Sequence, residues 1–106
     1  MNLEQQRTAI AELRGWEIVK NAKWLGCTKD NPTPRPYPPY STDLNAMHDA
    51  EGMLSPDQRD SYTDNLWEIT ARYSLGVSVN DSWGIFHATA PQRSEAFLRT
   101  LGKWVD

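Results

Sequence analysis

Thr89-Ala-Pro-Gln-Arg-Ser-Glu-Ala-Phe-Leu-Arg-Thr-Leu-Gly-Lys-Trp104 carries its own start, face and stop. Thr89 can accept the orphan N–H groups of a helix start, and Gln92, three residues on, can reach back to it as a capping box. Pro91 falls in the first turn, where a missing N–H is harmless. Phe97 and Leu101, flanked by Leu98 and Ser94, form an apolar stripe that faces a core. Arg93, Glu95 and Arg99 occupy the other faces. Gly102 ends the helix as a residue tolerant of left-handed dihedrals. Trp104, just beyond, is placed to fold back on the last turn.

Upstream of this helix, Leu75, Val77 and Val79 alternate with small and polar residues, the period of a short strand. Asn80-Asp81-Ser82 reads as a turn and Trp83-Gly-Ile-Phe86 as a return strand, with a loop competing because Gly76 and Gly84 interrupt both halves. Ser55-Pro-Asp-Gln58 is a second capping box, so a helix starts at Pro56 and runs to about Thr70 or Tyr73. Tyr62, Leu66, Ile69 and Tyr73 make its inner stripe, with Trp67 beside them. Ser41-Thr-Asp43 supplies N-cap candidates for a helix from Leu44 to Leu54, with Leu44, Met47 and Leu54 pointing inward and Gly52 weakening its end.

Asp30 to Pro39 is different material. Prolines at 32, 34, 36, 38 and 39 forbid a regular helix and most ladder hydrogen bonds. The spacing predicts an extended, largely polyproline II surface loop over residues 30–40. A rigid connector is the plain reading, though Pro34-Arg-Pro-Tyr-Pro-Pro39 also resembles ligands of aromatic-lined grooves. Tyr37 and Tyr40 are candidate partner contacts there. At the N-terminal side, Leu3 to Arg14 reads as a helix with Leu3, Ile10 and Leu13 on one stripe and Gly15 as its stop. Trp16 to Val19 and Trp24 to Cys27 read as strands of a hairpin, the second weakened by Gly26. The expected fold is α+β, one domain of about four helices packed on a short antiparallel sheet.

The composition narrows the function classes. A chain of 106 residues makes one domain. Its formal net charge of −3 argues against the basic face that a nucleic-acid backbone requires. The two middle helices resemble a helix-turn-helix in outline, but Asp57, Asp60 and Asp64 line the second of them, so DNA recognition is rejected. The single cysteine, Cys27, excludes an internal disulfide, and no Cys and His cluster has zinc spacing. The N-terminus lacks a signal-peptide pattern and no apolar run reaches membrane-span length, which predicts a cytoplasmic protein with no membrane partner. Five tryptophans and four tyrosines supply large apolar contacts to a small core, or partly to a binding surface.

Candidate chemistry is sparse. His48 stands three residues before Glu51, a spacing that can put two ligands on one helical face. A metal site needs a matching pair from another helix, so a histidine at the core edge, bonded to a carboxylate, is the better reading. His87 precedes the Thr89 cap, and Arg93 adds charge to a helix start that attracts anions. Trp83 or Phe86 is placed to stack on a base. Against a ligand pocket there, no glycine-rich phosphate loop is present and Thr89 uses part of the site. Cys27 has no base beside it, and no nucleophile elbow appears. No catalytic residue, metal or cofactor is expected.

Two blocks carry a family resemblance. Ala88 to Trp104, and Pro38-Pro-Tyr-Ser-Thr-Asp-Leu-Asn-Ala-Met-His-Asp-Ala-Glu51, resemble the conserved blocks of the phage ABA sandwich domain family, with Gly15-Trp16 as a third, shorter match. The resemblance implies a phage or prophage origin and a compact α/β sandwich, and it transfers no catalytic residue. It suggests a non-enzymatic accessory protein that binds a host component, such as defence machinery. Two other functions stay open. One is sequestration of a small anionic ligand, such as a signalling nucleotide, by Trp83, His87 and Arg93. The other is a homo-oligomeric assembly role. Arg99, Tyr37, Tyr40 and His48 complete the candidate contact residues.

Overall fold

In a computed structural model, the structure describes residues 1–20, 22–72 and 88–106. Helix α1 (Leu3–Leu13) starts at Asn2, whose side chain accepts Gln5 N–H while the Gln5 side chain accepts Asn2 N–H. That capping box is present in the sequence as Asn2-x-x-Gln5. Its end is a Schellman turn: Trp16 N–H reaches Ala11 O at 3.0 Å and Gly15 N–H reaches Glu12 O, with Gly15 at φ +92°. The helix turns Gln6, Ile10 and Ala11 inward. Leu3, expected on that stripe, is 43 % exposed, because the first turn overhangs the core's edge.

Three antiparallel strands follow in the order β1 (Glu17–Ile18), β2 (Leu25–Thr28) and β3 (Asn31–Pro36). The expected hairpin is present, with Glu17 opposite Cys27 and Ile18 opposite Gly26. Gly26 is required there, since a Cβ would sit 2.7 Å from Glu17 O. The third strand corrects the reading of residues 30–40 as a polyproline loop. Proline spacing explains it. Tyr37 N–H donates to Trp24 O, so the odd positions at the end of β3 face β2. Pro34 and Pro36 then turn their missing N–H groups to the open side of the sheet, where no ladder bond is lost. An irregularity between Gly26 and Thr28 resets the register toward Asn31.

Three more helices complete the described chain. Helix α2 (Leu44–Glu51) is capped by Asp43, which accepts Asn45 N–H at 3.0 Å. It is shorter than expected. Gly52 and Met53 leave the helix in tight turns, and Leu54 is buried from beyond its end. Leu44, expected inside, is 41 % exposed, so the apolar face of α2 is carried by Met47 and Ala50. Helix α3 (Pro56–Arg72) has the Ser55–Gln58 capping box and buries Tyr62, Leu66, Ile69 and Thr70, while Trp67 lies outside at 40 % exposure.

Helix α4 (Ala90–Thr100) begins with the Thr89–Gln92 capping box and ends in a second Schellman turn. There Lys103 N–H reaches Leu98 O at 2.8 Å, with Gly102 at φ +71°. Ser94, Ala96, Phe97 and Leu98 are completely buried. This helix is the hub, since α1, α2 and α3 all pack against it and the sheet meets the helices through α1. The α+β class is as read from sequence, but the helices gather around α4 instead of lying together on the sheet. The expected strands over 75–79 and 83–86 fall outside the described residues.

Candidate functional site

Arg93 and His48 converge on one carboxylate. Arg93 on α4 donates from Nη1 to Glu51 Oε2 at 3.1 Å and from Nε to Ala88 O at 3.2 Å. His48 Nε2 lies 3.9 Å from the other oxygen, Glu51 Oε1. The Tyr62 hydroxyl on α3 donates to the oxygen that Arg93 holds. Burial, then the bond to Glu51 and its charge, push the Tyr62 phenol far above its ordinary range, so it stays a neutral donor. Glu51 and Arg93 are mostly enclosed, at 18 % and 14 % side-chain exposure, and His48 stands outside at 54 %. Three helices therefore meet at Glu51. The guanidinium expected at an anion pocket is engaged by this carboxylate, and Thr89 and Gln92 occupy each other's N–H groups at the helix start.

The other sequence candidates scatter. Arg99 bonds Glu95 at 2.8 Å and stacks over Trp104 at 5.0 Å, holding the C-terminal tail to α4. Tyr40 is a core residue, 2 % exposed, and so is Tyr37 at 2 %, which removes both from an open contact surface. Trp83 and His87 lie outside the described residues. Among the described residues no group of three or more His, Cys, Asp or Glu side chains has the arrangement of a metal site.

A second constellation lies between α1 and the sheet. The Arg7 guanidinium carbon lies 4.7 Å from the centre of the Trp24 ring and 5.1 Å from that of the Tyr37 ring. Its Nη2 donates to Tyr37 O, and the Tyr37 hydroxyl meets Thr8 Oγ1 at 2.9 Å. The stack continues through Tyr37 to Trp16, centroids 6.2 Å apart, and ends with Arg35 over Trp16 at 4.6 Å. Each cation–π contact is worth roughly 0.5–2 kcal/mol, more as water is excluded. Burial lowers the Arg7 guanidinium from its ordinary value.

Trp24 is unusual in two respects. It holds φ +61°, a conformation that bulky L-residues rarely adopt, and it is 41 % exposed. Such backbone strain amounts to about 1–3 kcal/mol and collects at functional positions. Two hollows adjoin it. One, of about 190 Å³, is lined by Leu3, Glu4, Arg7, Trp24, Ser41 and Thr42. The other, a cleft of about 750 Å³, runs between α1 and the strands past Thr8, Glu12, Ile18 and Lys20. Glu4 and Trp24 line both.

Sequence reasoning passed over this site because Arg7 reads as a gap between Leu3 and Ile10. Its position on that apolar stripe was the available signal, since an arginine at i+4 from Leu3 shares the stripe's direction. No family, no curated protein and no solved structure matches this chain. Among the described residues no helix is long and apolar enough to cross a membrane.

Proposed function

We propose that this chain is a non-enzymatic accessory protein of a phage or prophage that binds a host protein, with defence machinery as the class of target. The observation that carries the binding reading is Trp24, a half-exposed aromatic with left-handed backbone, seated on Arg7 and beside the exposed Leu3. Tryptophan and arginine dominate protein-binding hot spots because they bury large areas around fixed geometry. A rigid, preorganised aromatic also forfeits little freedom on association. The phage setting is supported by the two sequence blocks that resemble the ABA sandwich family. The non-enzymatic reading is supported by the sequence's lack of a nucleophile motif.

The test uses the full chain as bait in bacterial lysate, beside a Trp24→Gly variant. Glycine accepts the positive φ without strain, so the variant loses the side chain and keeps the turn. A partner recovered stoichiometrically by the parent chain and lost by Trp24→Gly is the expected result. Recovery of no partner, or equal recovery by both, overturns the proposal.

A further inference from the structure

We infer that the hollow beside Arg7 takes a carboxylate carried on an extended polypeptide, with Trp24 and Leu3 forming the apolar rim that the polypeptide crosses. The inference rests on the protein-binding reading of this same face and names the chemistry of the partner's contact.

The first support is an incomplete charge. Arg14, Arg72, Arg93 and Arg99 each have a carboxylate within 4.0 Å, whereas among the described residues Arg7, like Arg35 and Arg59, has none. Two aromatic rings lie against its guanidinium, and its Nε is buried without a hydrogen-bond partner. Leaving a buried donor without an acceptor is unfavourable. Glu4, one turn earlier on α1, lines the same hollow and lies 3.9 Å from Lys23. With aromatic rings against the guanidinium, its planar fork is open to an anion that arrives edge-on. A carboxylate is flat and suits that approach.

The second support distinguishes a polypeptide from a free anion. Glu17 pairs with Cys27, and Val19 N–H donates to Leu25 O at 2.9 Å. In an antiparallel ladder the intervening residue, Ile18, therefore points its N–H and C=O away from β2. Ile18 lines the larger cleft, which shares Glu4 and Trp24 with the Arg7 hollow. An extended segment can bond this backbone dyad while its carboxylate reaches Arg7, as in strand addition. A free anion has no use for the dyad.

The experiment follows the Arg7 Nε–H and Ile18 amide resonances of the isotopically labelled chain by NMR. The probes are a blocked hexapeptide alternating valine and glutamate, its glutamine counterpart, free glutamate and inorganic phosphate. The shielding of Nε from water keeps that proton observable. The glutamate peptide should shift both resonances saturably and bind about tenfold tighter than the glutamine peptide. Arg7→Lys, which keeps the charge but not the planar fork, should erase that preference. The peptide comparison on the parent chain stands even if Arg7→Lys fails to fold. Equal binding of both peptides, or phosphate or free glutamate binding as tightly as the glutamate peptide, overturns the inference. A host partner lost on Trp24→Gly without any carboxylate preference overturns the carboxylate anchor and keeps the docking face. A carboxylate preference without any host partner does the reverse.

Discussion

Glu51 and Arg93 stand 42 positions apart and meet at 3.1 Å, each less than a fifth exposed. The Glu51 oxygen that Arg93 holds also accepts the Tyr62 hydroxyl, so one carboxylate ties α2, α3 and α4. Removing one partner of such an enclosed pair leaves an uncompensated charge. Arg93→Met should therefore lower stability by about 3 kcal/mol in urea denaturation. Adding Glu51→Gln should restore part of the loss, giving a coupling of about 1–3 kcal/mol. Losses below about 1 kcal/mol in both single variants would mean that the pair behaves as an ordinary surface bridge.

Tyr62 makes this junction sensitive to alkali. Its phenol is held above the ordinary value of 10.0 by burial and by Glu51. Above that value the unfolded chain releases the phenolic proton while the folded chain keeps it, so the unfolded state binds fewer protons and stability falls as pH rises. Below it the contribution is fully present. Unfolding followed from neutral pH into the alkaline range should show this slope, and Tyr62→Phe should flatten it. An unchanged slope in Tyr62→Phe would assign alkaline unfolding to other groups.

The two helix-terminating glycines carry a local conformational requirement. Gly15 and Gly102 hold φ of +92° and +71°, and an added Cβ would touch nothing within 4 Å at either. Gly15→Ala and Gly102→Ala should each destabilise by about 1–2 kcal/mol through backbone strain alone. Gly26→Ala faces backbone at 2.7 Å instead and should disrupt the hairpin. Melting temperatures of the three variants should separate accordingly; a Gly26→Ala protein as stable as Gly15→Ala would contradict the close approach.

Ser94 and Gln6 form a buried polar link between α4 and α1. Ser94 Oγ donates to Gln6 Oε1 at 2.8 Å, with the residues 0 % and 6 % exposed. Ser94→Ala removes the donor and strands the amide oxygen. The expected loss is about 1–3 kcal/mol in chemical denaturation. A neutral effect would show that the glutamine side chain finds another donor.

Local signals in the sequence were strong where they concerned helix ends. The capping boxes at Ser55 and Thr89, and the stops at Gly15 and Gly102, depend on chemistry within a few residues and were readable as such. The hairpin was readable for the same reason. Exposure of Leu3 and Leu44 was not, because a helix's periodicity fixes its stripe but not how far the neighbouring layer extends. The strand of alternating prolines was hidden because the outcome depends on which side of the chain meets β2. At the candidate sites, the i, i+3 spacing of His48 and Glu51 placed them near each other, at 3.9 Å and without a hydrogen bond, while Arg93 and Tyr62 hold the carboxylate. The convergence of Arg7, Trp24 and Tyr37 was not, since it joins three segments whose distances only tertiary packing sets.

Pro34 and Pro36 also make the sheet directional in a way that governs polymerisation. Along that margin the backbone presents carbonyl oxygens at proline positions that have no N–H to match them. A stacking fibre needs each added strand to become a template for the next, with donors and acceptors on both margins. Here a second copy joined at the opposite margin, beside Ile18, would turn its own proline margin outward. The prolines act as a built-in chain terminator against head-to-tail self-assembly of this chain through its β3 margin.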